Sequence, residues 1–285
     1  MGRPLRLQDP SFIYFITNRT LESRFFLSPG QNDLLSQFTL KLLADSQHKY
    51  QVEIFSFVFL SNHFHLILRA PHLNLSEFMS HFQSRLARFI NALRQRRGTV
   101  FPNRYDANFI ADDAALLSLT IYLLANPTRA RLVEHPDQWP SLISHHAYRS
   151  NPSPYDAIPL TPLPLFPDLQ TQQAVLSSLI DDHCDRLIQN AARRRQPFLG
   201  PSRVRRTPWH GQPASYSIAP SKRRTLNDRV MCHANQIRRQ FVTHLRAVID
   251  AYHAARPHFR GEAFARFCQR AGVPAGTHHP RNSWC

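Results

Sequence analysis

Between Ser11 and Ile110 the hydrophobic pattern switches between a period of two and a period near 3.6, and the order of those switches constrains the fold more than any other feature. The run SFIYFIT (11–17) is β-rich and reads as a strand, whereas QNDLLSQFTLKLLADSQHK (31–49) repeats Leu34, Leu35, Phe38 and Leu42 at helical spacing. YQVEIFSFVFL (50–60) and the run beginning at His63 are β-patterned and separated by Ser61 and Asn62, which predicts a hairpin. LSEFMSHFQSRLARFINALRQRRG (75–98) aligns Phe78, Phe82, Leu86, Phe89, Ile90 and Leu93 on one side, with Ser76 placed to cap and Gly98 to stop. RYDANFI (104–110) supplies a fourth strand. The order β-α-β-β-α-β predicts an α+β, ferredoxin-like core with an antiparallel sheet.

A further helix follows, started by Asp112 or Asp113 and ended by Pro127. It is mostly apolar, and against that background Ser118, Tyr122 and Asn126 stand at i, i+4 and i+8 and so align in one polar stripe. Taken alone, Tyr122 fits a core residue whose hydroxyl finds a partner, and Asn126 before a proline fits a helix end.

The hairpin carries the second unusual feature. In SNHFHLIL, His63 and His65 are two residues apart, so a strand points both to one face and Phe64, Leu66 and Leu68 to the other. Such a pair fits half-exposed strand histidines, and it equally fits two imidazole ligands reaching one ion. The Asn126 amide oxygen supplies a third donor, and two imidazoles plus an amide oxygen suit Mg²⁺ or Mn²⁺ with positions open to phosphate oxygens. Tyr122 would then be the nucleophile. Tyr105 is the rival, but it lies in a strand with no amide residue one helical turn away, and reads as structural or as a stacking surface.

Charge points to the partner. Lys and Arg number 35 against 19 Asp and Glu, a net +16 in 285 residues, and that excess favours a polyanion through counterion release. Hydrophobic residues make up 42% of the chain, enough for a real core. Cys184, Cys232, Cys268 and Cys285 form no C-x-x-C pair, which argues against zinc knuckles and a disulfide scaffold and suits a reducing compartment. MGRPLRLQDPSF has no apolar core of signal-peptide length, and no run approaches the roughly 18 apolar residues of a membrane span, so a soluble, cytoplasmic protein is expected.

SNHFHLIL resembles the His-hydrophobic-His motif of the HUH endonuclease superfamily. FPNRYDANFIADDAALLSLTIYLLANPTRARLVEHPDQWP (101–140) is similar to the G-R-Y, Y-x-x-x-N-P and R-A-x-L-V segment of single-tyrosine transposases, of the IS200-like and REP-associated kinds. The resemblance covers residues 10 to 150. It implies that His63 and His65 are metal ligands, that Asn126 adds a further ligand, and that Tyr122 forms a 5′-phosphotyrosine while freeing a 3′-hydroxyl. It also implies a single-stranded or hairpin DNA partner. Asn103, Arg131 and Ser61 depart from the family's usual Gly, Gly and Pro, and these changes touch turns rather than chemistry. Two other readings fit the same features: a non-catalytic nucleic-acid-binding module on the same sheet, and a His-metal phosphodiesterase using activated water.

Three regions are expected: residues 1–150 as the transposase-like domain, 151–170 as a Pro-rich linker, and 171–285 as a basic, mostly helical extension. Arg85 and Arg88 on the second helix, Arg104 beside the fourth strand, and Arg205, Arg206 and Trp209 in the extension are candidates for gripping phosphates and stacking bases. Oligomeric state is left open between monomer and homodimer.

Overall fold

The computed structural model describes residues 7–30, 33–145, 158–214, 216, 225 and 227–255. Its centre is the expected α+β sheet. Strands β1 (Ile13–Arg19), β2 (Glu53–Phe59), β3 (His63–Arg69) and β4 (Asp106–Ile110) lie in the order β2-β3-β1-β4, all antiparallel. Helices α1 (Leu34–Tyr50) and α2 (Leu75–Leu93) make the two crossovers.

Both helices cover the same face. Tyr14, Ile16, Phe57, Phe59, Phe64, Leu66 and Phe109 point from the strands into Leu43, Phe78, Phe82, Leu86 and Ile90. Each fully buried side chain of this kind contributes about 1.5–3 kcal/mol, so this face holds most of the apolar driving force. Helix α2 begins one residue before the expected cap: Asn74, not Ser76, is the N-cap, and its side-chain amide donates to the Tyr50 carbonyl while its oxygen accepts from no N–H of its own helix. Gly98 lies beyond the helix end in a left-handed turn at φ +98°, which glycine adopts without a Cβ clash.

The opposite face is covered by α3 (Asp113–Leu124), α4 (Asn126–Arg129) and α5 (Leu169–Arg193). Helix α3 is apolar nearly all round because it is buried on two sides, against Phe15, Val58 and Ile67 of the sheet and against Leu176, Ile180 and Cys184 of α5. Pro127 does not end the helical path as expected. It sits in the first turn of α4, where its missing N–H is not needed and its fixed φ suits the helix.

Neither sheet edge is bare. Ile143 bridges to Val58, Phe59 N–H donates to Leu142, and Trp139 Nε1 donates to Phe59, so residues 139–144 run along β2. On the far side a fifth strand, β5 (Val230–Met231), pairs parallel to β4. These two residues lie in the extension expected to be mostly helical, and the helix α7 (Asn235–Ala255) starts only after them. Helix α7 then lays Phe241, Val242 and Leu245 on the α1/α2 face, with the Phe241 ring 4.9 Å from Phe12 and 5.9 Å from Phe109. The basic stretch after α5 is partly helical, as α6 (Pro201–Arg206).

One carboxylate joins these parts. Asp112 caps α3 by accepting from Ala115 N–H, and its other oxygen accepts from Cys232 Sγ and the N–H groups of His233 and Ala234. Burial pushes this carboxyl up, but the four donors outweigh it and hold it down at about 2.

Candidate functional site

Strand register builds the site. His65 pairs with Thr17, Thr17 with Asp106, and His63 with Arg19, so these side chains share the face under α3. Next along the face come Phe15 and, opposite it on β4, Asn108. The alternation expected for His63 and His65 is thus the one observed, with Phe64, Leu66 and Leu68 in the other core.

Each imidazole is held by one nitrogen. His63 Nδ1 lies 2.6 Å from Asn62 Oδ1, and Asn62 Nδ2 in turn donates to the Ser23 carbonyl, which sets the amide's orientation. That leaves His63 carrying its proton on Nδ1 and a lone pair on Nε2. His65 Nδ1 lies 2.8 Å from the Thr17 hydroxyl, and its ring stacks on Phe15 at 5.0 Å. The Nε2 atom of His65 is buried and has no hydrogen-bond partner among the described residues. Burial, helped by the Arg19 charge, lowers His65 to about 3, and burial with the neighbouring His65 and Arg19 lowers His63 well below the ordinary imidazole value. Both rings are therefore neutral at physiological pH, the state in which imidazole can ligate a metal.

Tyr122 stands over this pair. Its ring centroid is 6.0 Å from His65 and 6.2 Å from Phe15, both edge-on, and the Arg129 guanidinium lies over the ring, 4.6 Å from its centroid. The polar stripe of the helix runs from solvent inward, with Ser118 exposed, Tyr122 half-buried and Asn126 buried where α4 begins. Tyr105 lies on the opposite face, 6% exposed within the main core, where no phosphate could reach it.

The other predicted residues are spread out. Arg85 and Arg88 are exposed on α2, across the sheet from the histidines, and Arg104 is exposed just before β4. Arg205 and Arg206 lie on α6, whose Val204 packs in the cluster under α3 and α5. Trp209 packs its ring on Phe26 at 5.9 Å, which takes up part of the surface expected to stack bases. Around it, Phe25 N–H donates to Gly211 and Leu27 N–H to Ser61, so residues 208–212 and 20–28 gather beside the hairpin turn that leads into His63.

Thr17, Asn62 and Arg129 escaped sequence reasoning. Only Arg129 left a trace there: it stands at i+7 from Tyr122, two helical turns on.

Residues 30–123, about a third of the chain, match the model of the family described as "Transposase IS200 like", and over that stretch the chain is similar to that family. The match begins before α1, includes both histidines, and ends one residue after Tyr122. No curated protein matches the chain. Among solved structures, a REP-associated tyrosine transposase bound to a REP hairpin is similar over 57% of this chain and 96% of its own, at 16% identity and TM-score 0.43. A candidate transposase from Deinococcus radiodurans R1 is similar over 43% of this chain and 93% of its own, at 14% identity and TM-score 0.30. Among the described residues no helix is long and apolar enough to cross a membrane.

Proposed function

We propose that this protein cleaves and rejoins single-stranded or hairpin DNA through a covalent bond to Tyr122. The observation that carries the reading is the buried Nε2 of His65, with no hydrogen-bond partner among the described residues, beside His63 and beneath the Tyr122 ring. A buried polar atom without a partner costs about 1–3 kcal/mol, and two neutral imidazoles held from behind by Asn62 and Thr17 are a donor set that fits a divalent cation.

His63, His65 and Asn126 would hold that cation, Mg²⁺ or Mn²⁺, and when bound it would make the scissile phosphodiester more electrophilic. The chain's own groups do the rest. The Tyr122 oxygen, losing its proton, bonds to phosphorus while the bond to the 3′ oxygen breaks, giving a 5′-phosphotyrosine and a free 3′-hydroxyl. Attack by a second 3′-hydroxyl reverses the step and joins DNA without an external energy source. Arg19 and Arg129, beside His63 and Tyr122, supply positive charge to the phosphate. Arg104, Arg205 and Arg206 would position flanking phosphates and the exposed part of Trp209 would meet a base; Arg85 and Arg88, on the far face, would serve a strand that wraps around the domain. A single strand suits a nucleophile fixed between helix and sheet, because it can bend its phosphate to that point.

The test is an incubation of the full chain with end-labelled single-stranded hairpin DNA and Mn²⁺, read on a denaturing gel. A labelled band shifted to protein size is the expected result. DNA cleaved without any protein-linked product would replace Tyr122 with activated water, and no cleavage of any hairpin or single strand would leave only a binding module.

A further inference from the structure

A cluster of side chains of metal-ligating type lies outside this site, flanking the segment that runs along β2. His135, Asp137 and His145 present nitrogen and oxygen atoms that all lie within 4.8 Å of one another. His145 Nε2 is 2.9 Å from one Asp137 oxygen, and His135 Nδ1 is 3.1 Å from the other. On its far side, His135 Nε2 is 2.9 Å from Asp181 of α5.

The protonation pattern makes the cluster unusual. His135 Nε2 faces the Asp181 carboxylate at 2.9 Å, so a proton on that nitrogen is donated to Asp181, and Nδ1 lies against Asp137, 3.3 Å from its backbone nitrogen and 3.1 Å from its carboxylate. With the ring proton on Nε2, the Nδ1 lone pair faces a carboxylate oxygen at 3.1 Å, and the two repel unless a metal ion or a second proton joins them. An imidazole whose outer N–H is held by a carboxylate while its inner nitrogen faces further ligands is the arrangement that orients histidine on a metal. His145 is fully buried, which a charged imidazole resists and a neutral ligand does not.

We propose that His135 Nδ1, Asp137 and His145 Nε2 bind a Zn²⁺ ion, with Asp181 holding His135 from behind. Two imidazoles and one carboxylate suit Zn²⁺ and leave its fourth position to water. The ion has a mechanical consequence. His135 and His145 bracket the residues that cover β2, and Asp181 belongs to α5, so zinc fastens that cover to the helix packed behind α3.

The test uses the full-length chain carrying His63→Ala and His65→Ala, which removes the site described above from the readout. Calorimetric titration of this variant with Zn²⁺ is expected to show one equivalent bound, and Zn²⁺ is expected to raise its unfolding midpoint. Co²⁺ in place of Zn²⁺ should give the strong visible absorption of a tetrahedral site. Adding Asp137→Asn or His135→Gln should abolish the thermal shift and weaken Zn²⁺ at least 100-fold, and adding Asp181→Asn should weaken it about 10- to 100-fold. Asp181 is exposed enough that its variant keeps the fold, so it carries the test if the others unfold. No Zn²⁺ bound at micromolar concentration, or affinity unchanged in the Asp181→Asn variant, would mean that a proton on His135 joins the cluster, and would overturn the proposal.

Discussion

The two faces of the central sheet are made from the same five strands, yet they do opposite things. Under α1, α2 and α7 the strands offer Tyr14, Phe57, Phe59, Phe64, Leu66 and Phe109, packed to exclude water. Under α3 the same strands offer Phe15, Val58 and Ile67 to the helix and, beside them, Thr17, His63, His65, Asp106 and Asn108, groups that gain little by burial and cost free energy unless partnered. One residue of strand register separates the two sets. The wholly apolar face offsets this cost, so polar groups are tolerated beside the packing of α3.

That division predicts opposite responses to substitution. The largest effect is expected for Tyr122→Phe, which keeps the ring against His65 and Phe15 but removes the hydroxyl: covalent adduct and strand cleavage should vanish, while hairpin binding and urea stability stay nearly unchanged. Phe64→Ala, one residue from each histidine but on the other face, should cost about 3–5 kcal/mol in urea unfolding through the cavity it leaves. A loss under 1 kcal/mol there would show that the apolar face is not where stability resides. Asp112→Ala removes a helix cap and the anchor for Cys232, His233 and Ala234, and should cost about 1–2 kcal/mol. Its effect bridges both faces, so hydrogen exchange should rise in α3 and at the start of α7 together.

A pH slope is expected as well. His65 falls to about 3 in the folded chain against roughly 6.5 when unfolded, so its contribution is complete above pH 6.5 and is lost as pH falls from there toward 3. Asp112 behaves likewise lower down, from about pH 3.9 toward 2. Unfolding titrations of the parent and of His65→Ala between pH 7 and pH 4.5 should show the parent losing stability faster. Equal slopes would place the burial of His65 in doubt.

Much of this division was readable in the sequence. Strict alternation in NHFHLIL put both histidines on one face, and the i, i+4, i+8 stripe put Tyr122 and Asn126 on one line, because period and geometry are local properties. Asp112 as a cap was equally local. Thr17 and Asn62 were not legible, since their roles depend on strand pairing 48 residues apart and on a loop contact to Ser23. The strand at Val230–Met231 was hidden because two apolar residues carry no period, and only the open edge of β4 makes them a strand. His135, Asp137, His145 and Asp181 were unread for the same reason: α5 closes that cluster, and nothing in local spacing announces it.

The central claim is that chemistry belongs to the histidine face and to the tyrosine above it. Mass spectrometry of the protein-DNA adduct, after nuclease trimming and proteolysis, tests this most directly because it identifies the residue bearing the nucleotide. The phosphonucleotide is expected on the peptide containing Tyr122 and to disappear in Tyr122→Phe. A nucleotide found on Tyr105, inside the apolar core, or on any other residue would contradict the account.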